Sequence, residues 1–162
     1  MWEGEVKISG MQKTGLPGAW TVWGERHEDQ RGLVREIWCG ETSPWKLTLL
    51  TTNRYRVLRG FHADTKRWRM LTCVAGEVRH VLADKKTKQW IRHALTPHGP
   101  SLLWQPGIYS GYYVLSTDAT VVYHVSEMYR SGDQKTLNWN FFGLEPWHPI
   151  NELILSERDK KA

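Results

Sequence analysis

The chain has 162 residues, a formal net charge of +5, ten tryptophans and two cysteines. That length fits one domain over residues 1–162 and buries enough surface to need no disulfide or metal staple. No run approaches the roughly 18 apolar residues of a membrane span, and Met1-Trp2-Glu3-Gly4-Glu5 lacks the apolar core of a secretory signal, so a cytoplasmic protein is expected.

The positive charge admits an anionic partner without naming one. Its densest stretches, Lys66-Arg67-Trp68-Arg69 and Lys85-Lys86-Thr87-Lys88, are short and dispersed. A nucleic-acid surface shows a sustained basic stripe or a binding motif, so no nucleic-acid partner is expected. Cys39 and Cys73 each sit in an apolar run, which favours reduced, buried thiols over a disulfide or a nucleophile. The many tryptophans and tyrosines either fill the core or line a pocket in which flat rings stack on sugars and bases.

Along the chain the pattern is strand after strand. Short β-branched or aromatic runs lie at 34–38, 46–51, 55–62, 69–74, 77–84, 89–95, 101–104, 111–115 and 120–125. Ala75-Gly76 reads as a tight hairpin, and Pro97-His98-Gly99-Pro100, Pro106-Gly107 and Ser116-Thr117-Asp118 as turns. Strands at about ten-residue spacing with such punctuation predict an antiparallel sandwich or barrel. The segment up to Gly18 and the tail after Trp139 read as wrapping elements, with one short helix within 152–161.

Four groups of residues carry candidate chemistry. In Arg59-Gly60-Phe61-His62-Ala63-Asp64, strand alternation puts Gly60, His62 and Asp64 on one face and Arg59, Phe61 and Ala63 on the other. An inward imidazole is a metal ligand, a general base or a hydrogen-bonded core residue. Tyr123 shares a strand face with Val121 and Val125, so its phenol is expected to be buried, as a structural group or as a proton donor. Asp159 lies in a charged tail where a solvated carboxylate is the default. Asp29-Gln30-Arg31-Gly32 reads as a turn into a strand, or as a phosphate site through the planar guanidinium of Arg31.

The order and spacing of these groups resemble the dTDP-4-dehydrorhamnose 3,5-epimerase family. The collinear matches are Asp29-Gln30-Arg31-Gly32 with Glu36, Arg59-Gly60-Phe61-His62, Arg69-Met70-Leu71 through Gly76 to Asp84, Pro106-Gly107, Leu115-Ser116, Tyr123 with Tyr129, Trp139-Asn140, and Leu155-Ser156 with Asp159. They extend from about residue 16 to the C-terminus. The resemblance implies an all-β, jelly-roll-like cupin barrel, a homodimer, and a cofactor-independent epimerase acting on a nucleotide-diphospho-4-keto sugar. It makes His62 the base, Asp159 its orienting carboxylate and Tyr123 the acid. Arg31 and Arg59 would hold the diphosphate, Glu36 would join the substrate-binding set, and Tyr129 and Trp139 would sit near the sugar or nucleoside.

Such residues suit the chemistry. A 4-keto group acidifies the hydrogens on C3 and C5. Removing one leaves an enolate, and a proton returned from the other side inverts the centre. An imidazole has a pKa near operating pH, and a carboxylate behind it fixes its tautomer. The family's lysine at the enolate oxygen is Arg69 here. Its Ala-His-Gly-Phe is Tyr109-Ser110-Gly111-Tyr112, its Gln and Asn fall on Leu47 and Leu49, and the Gln after the base is Asp64. These departures leave the nucleotide and sugar open. A 3,4-ketoisomerase and a non-catalytic sugar-nucleotide-binding cupin are the competing readings. No His-x-His pair accompanies His62, so no metal is expected.

Overall fold

A computed structural model describes residues 10–38, 43–130, 132–150 and 152–162; Cys39 lies outside them. The chain forms thirteen strands among the described residues: β1 (Gly10–Lys13), β2 (Ala19–Trp23), β3 (Arg26–Asp29), β4 (Gly32–Arg35), β5 (Leu47–Arg54), β6 (Leu58–Asp64), β7 (Arg69–Ala75), β8 (Val78–Ala83), β9 (Trp90–Leu95), β10 (Ser101–Trp104), β11 (Tyr109–Val114), β12 (Asp118–Val125) and β13 (Gln134–Thr136). One short helix, α1 (Glu157–Lys160), follows. The strands build a six-stranded sheet in the order β1-β2-β10-β7-β12-β5, a five-stranded sheet β13-β6-β11-β8-β9, and the hairpin β3-β4.

All ladders are antiparallel, and the two large sheets face each other over a shared core. Period-two alternation decides which residues enter it. Leu71 and Cys73 of β7, Ala119 and Val121 of β12, Val78 and Leu82 of β8, and Tyr112 and Val114 of β11 interlock in one buried cluster. The intervening residues Leu58, Phe61, Ala63, Val81, Ala83, Tyr109 and Tyr113 face outward from the five-stranded sheet. There the C-terminal tail covers them, with Trp147 fully buried and its indole N–H donating to the Trp139 carbonyl at 2.9 Å.

Several boundaries differ from the sequence reading. Ala75-Gly76 does not close a hairpin, because β7 and β8 belong to different sheets. The turn, with Gly76 at φ +72°, carries the chain across the barrel. The run 34–38 is in the ladder only to Arg35, which pairs with Arg26. Trp38 leaves it to meet Trp45 edge-on at 5.2 Å. The run 55–62 starts its strand at Leu58, because Val57 N–H donates back to Arg54 and Arg56 takes a left-handed φ of 67°. The expected helix shrinks to α1, capped by Ser156, whose hydroxyl accepts the Asp159 N–H.

The β6–β11 ladder is irregular. Ser110 pairs with His62 and Tyr112 with Arg59. Two residues of β6 therefore oppose the single Gly111, which is a bulge. The strands close so tightly that a Cβ on Gly60, which has φ +130°, would stand 2.5 Å from the Gly111 Cα. Gly60→Ala therefore combines a disfavoured backbone with an immovable backbone neighbour. It should destabilise the protein by about 2–4 kcal/mol in urea unfolding. Gly99→Ala, whose new Cβ would meet nothing nearer than 3.5 Å, should stay within about 0.5 kcal/mol.

Candidate active site

The bulge changes which residues share a face. Strict alternation opposes Arg59 to His62, but the extra residue returns Arg59 to the inner side, together with His62 and Asp64. All three point between the sheets. The mouth there is a cleft of about 300 Å³ lined by Leu49, Thr51, Arg59, His62, Arg69, Ser110, Tyr123, Ser156, Arg158 and Asp159.

His62 is partly exposed, and its Nε2 lies 2.7 Å from Oδ1 of Asp159, which is 3% exposed. A carboxylate accepts only, so Nε2–H is the donor and the basic lone pair is on Nδ1. Burial raises the Asp159 pKa. The hydrogen bond and charge of His62, the Ser156 hydroxyl and the Gly60 N–H outweigh it and hold the carboxyl below its ordinary value. The one-turn helix α1 thus delivers a carboxylate from the far end of the chain to the bulge.

The opposite wall is the six-stranded sheet. Tyr123, in register with Leu49 and Leu71, stands beside Arg69, whose guanidinium carbon lies 5.6 Å from the ring centroid. Burial, reinforced by nearby Tyr112, pushes the Tyr123 pKa well up against the lowering effect of Arg69 and Arg59. The phenol therefore holds its proton at any working pH.

Two networks hold the cations. Arg59 Nε donates to Asn53 Oδ1 at 2.7 Å, which also accepts the Tyr112 hydroxyl at 3.0 Å. Asp64, 2% exposed, bonds Arg67 through Oδ1 and Arg69 through Oδ2. Arg67 is equally buried and lies against the Tyr129 ring at 5.0 Å. This triad carries a net positive charge whose only partly exposed member, Arg69 at 18%, faces the cleft.

His62, Asp159, Tyr123, Arg59 and Arg69 therefore meet in one cleft. The other sequence candidates lie elsewhere. Arg31 is at the tip of the β3-β4 hairpin, in an exposed ion pair with Asp29 at 2.5 Å. Glu36 follows β4, its N–H bonded to Glu25. Tyr129 is exposed above Arg67. Trp139 packs in the outer cluster under the C-terminal tail. Leu49 was found as a departure from the family pattern, and Thr51 follows from it by strand alternation. Ser156 belongs to the Leu155-Ser156 motif ahead of Asp159, whereas Arg158 carries no signal of its own before α1 is docked. No group of three or more His, Cys, Asp or Glu that could hold a metal occurs among the described residues.

Comparison with known proteins identifies the family and the fold. The family described as dTDP-4-dehydrorhamnose 3,5-epimerase matches residues 13–162. A dTDP-4-dehydrorhamnose 3,5-epimerase of Mycolicibacterium smegmatis is 28% identical over 164 residues, covering 91% of this chain and 81% of its own. One of Salmonella typhimurium is 26% identical over 168 residues, covering 93% and 92%. Among solved structures, a 3′-monoepimerase of Streptomyces bikiniensis in complex with dTDP-quinovose superposes with a TM-score of 0.86 at 24% identity, covering 94% of this chain and 86% of that one. The epimerase of Legionella pneumophila in complex with dTDP-4-keto-L-rhamnose gives 0.83 at 22%, covering 94% and 90%. The barrel is thus the cupin fold of these epimerases.

The acidified Asp159 has a consequence for stability. Its carboxyl binds protons less readily folded than unfolded. The stabilisation it gives is therefore present above the unfolded value of about 3.9 and lost as pH falls through the folded one. Asp159→Asn should lower the urea midpoint at neutral pH. The gap to the unsubstituted protein should narrow steadily in titrations taken below about pH 4.

Proposed function

The chain belongs to the dTDP-4-dehydrorhamnose 3,5-epimerase family, isomerases of nucleotide-activated 4-keto sugars, and we propose that this cleft inverts C3, C5 or both by proton transfer between its two walls. The observation that carries the reading is the placement of His62 and Tyr123 on opposing sheets. Inversion needs a proton taken from one side of the ring and another returned from the other. Shuttling a hydrogen between adjacent carbons, as a ketoisomerase does, needs one base on one side.

His62 removes the proton through Nδ1, and Asp159 stabilises the imidazolium that results. The electron pair of the broken C–H bond moves into a carbon–carbon double bond, and the carbonyl pair moves to oxygen. Arg69 meets that oxygen with a positive charge held by Asp64. A preorganised donor or charge of this kind is worth about 3–4 kcal/mol in the barrier. Tyr123, kept protonated, gives its proton to the opposite face and is recharged from solvent. Arg59 and Arg158 are the further cleft cations available to the diphosphate. No step calls on a cofactor.

The remaining features of the reading are a single domain, a homodimer and a cytoplasmic setting. No helix among the described residues is long and apolar enough to cross a membrane. Cys73 is a free, buried thiol whose pKa burial pushes up to about 11, so it is unreactive.

Solvent deuterium incorporation at C3 and C5 tests the reading, using dTDP-, GDP- and CDP-linked 4-keto-6-deoxy sugars. Exchange at one carbon identifies a single-centre enzyme, and exchange at both a double one. Absence of exchange with all three would sink the epimerase reading. His62→Ala should slow exchange by at least about 10²–10⁴-fold. Tyr123→Phe should retain measurable exchange while losing net inversion, because deprotonation does not need the acid. Full exchange in His62→Ala would overturn the choice of base.

A further inference from the structure

Ser110 stands beside the base. It is the β11 residue in register with His62 on β6, and it lines the cleft. Directly opposite residues of an antiparallel pair share a face, with Cβ atoms about 5 Å apart. Their side chains therefore meet one small region of a substrate: the acidic carbon and the oxygen on its neighbour.

Behind Ser110 lies His80 of β8, with no exposed surface. Its Nε2 is 3.0 Å from Ser110 Oγ, and its ring packs on Trp104 at 5.1 Å. The proton transfers described above make no use of it. Burial, with His93 adding a smaller push, brings its pKa down to about 3, so the ring is neutral and one nitrogen carries the proton. Nδ1 is buried without a hydrogen-bond partner among the described residues. A proton on Nδ1 would orphan a buried N–H. A proton on Nε2 orphans only a lone pair, the smaller loss. His80 therefore donates to Ser110 Oγ. Since that oxygen accepts from behind, the single hydroxyl proton is left to face the cleft.

We propose that Ser110, held by His80, donates a hydrogen bond to the keto oxygen of the bound sugar, so that the enolate is stabilised from the base's wall as well as by Arg69 from the acid's. The inference rests on the epimerase reading. The serine proton stays on serine throughout; its hydrogen bond strengthens as charge moves onto the substrate oxygen, and no further reactant is needed. Ser110 touches substrate, whereas His80 is a positioning residue that acts through it.

The test is Ser110→Ala, followed by deuterium exchange and steady-state inversion with the same three sugar nucleotides. An interaction made in the transition state lowers kcat and kcat/KM together, here by about 10–100-fold, with KM within about twofold. Ser110→Thr restores a hydroxyl and should recover most of the rate. His80→Leu should show the same kcat loss. Combined with Ser110→Ala it should add less than about twofold, because the histidine acts only through the serine. Additive losses, a raised KM at unchanged kcat, or a Ser110→Ala enzyme as fast as the original would overturn the inference while leaving the epimerase reading intact. An unsubstituted enzyme that exchanges nothing would overturn both. Should His80→Leu fail to fold, the Ala and Thr variants of Ser110 decide the matter alone.

Discussion

Between Arg59 and His62, β6 carries one residue more than the strand it pairs with, and the cleft depends on that surplus. Without it, Arg59 would point into the apolar layer beneath the C-terminal tail, where Leu58 and Phe61 now sit. An unpaired guanidinium in that layer would be strongly destabilising. With it, a cation and a base three residues apart enter the same cavity. The bulge in turn requires the near-contact of Gly60 and Gly111, since neither position has room for a side chain. The fold thus trades side-chain packing at one ladder position for convergence of function at the next.

The charges of the site are arranged around the same point. Three arginines line the cleft, Arg59, Arg69 and Arg158, against the single carboxylate of Asp159. Each is tied by a polar partner: Arg59 and Arg69 through Nε to Asn53 and Asp64, and Arg158 through all three guanidinium nitrogens to Thr136 and Gln134. That tethering matters more than the charge count, because a guanidinium fixed in place needs no reorganisation when the substrate's charge develops. The surplus of positive charge suits a substrate that arrives with a diphosphate and acquires an enolate.

Much of this was readable from the chain and some was not, for physical reasons that differ by residue. Strand positions followed from apolar runs and turn residues, since β7 and β8 are largely buried and β12 buries Ala119, Val121 and Val125 along one face. Tyr123 was readable because alternation places it between the core residues Val121 and Val125, and His62 because it ends the Arg59-Gly60-Phe61-His62 motif. The partnership of Arg59 with His62 was not, because a bulge is set by a pairing partner far away in sequence and leaves no local mark beyond a glycine. The turn at Ala75-Gly76 was misread as a hairpin because a turn's residues report the bend and not the sheet the next strand joins. Arg31 and Glu36 matched a motif, yet lie on or just beyond a hairpin whose tip is in solvent, away from the cleft within this chain.

The departures from the family pattern share a physical logic. Arginine in place of lysine brings a planar fork that needs a second acceptor to fix its direction. Asp64, standing where the pattern has glutamine, supplies one that also neutralises the buried Arg67. Serine in place of histidine shortens the reach into the cleft and enlarges it beside the base. His80, behind the serine, supplies a nitrogen donor at one remove. In each case the charge or donor directed at the substrate is kept, and a buried partner sets its direction. What changes is the shape of the cavity, further altered by the apolar Leu49. Shape and charge are carried by different atoms, so on the proposed reading the proton chemistry can stay as it is while the sugar contour that fits changes.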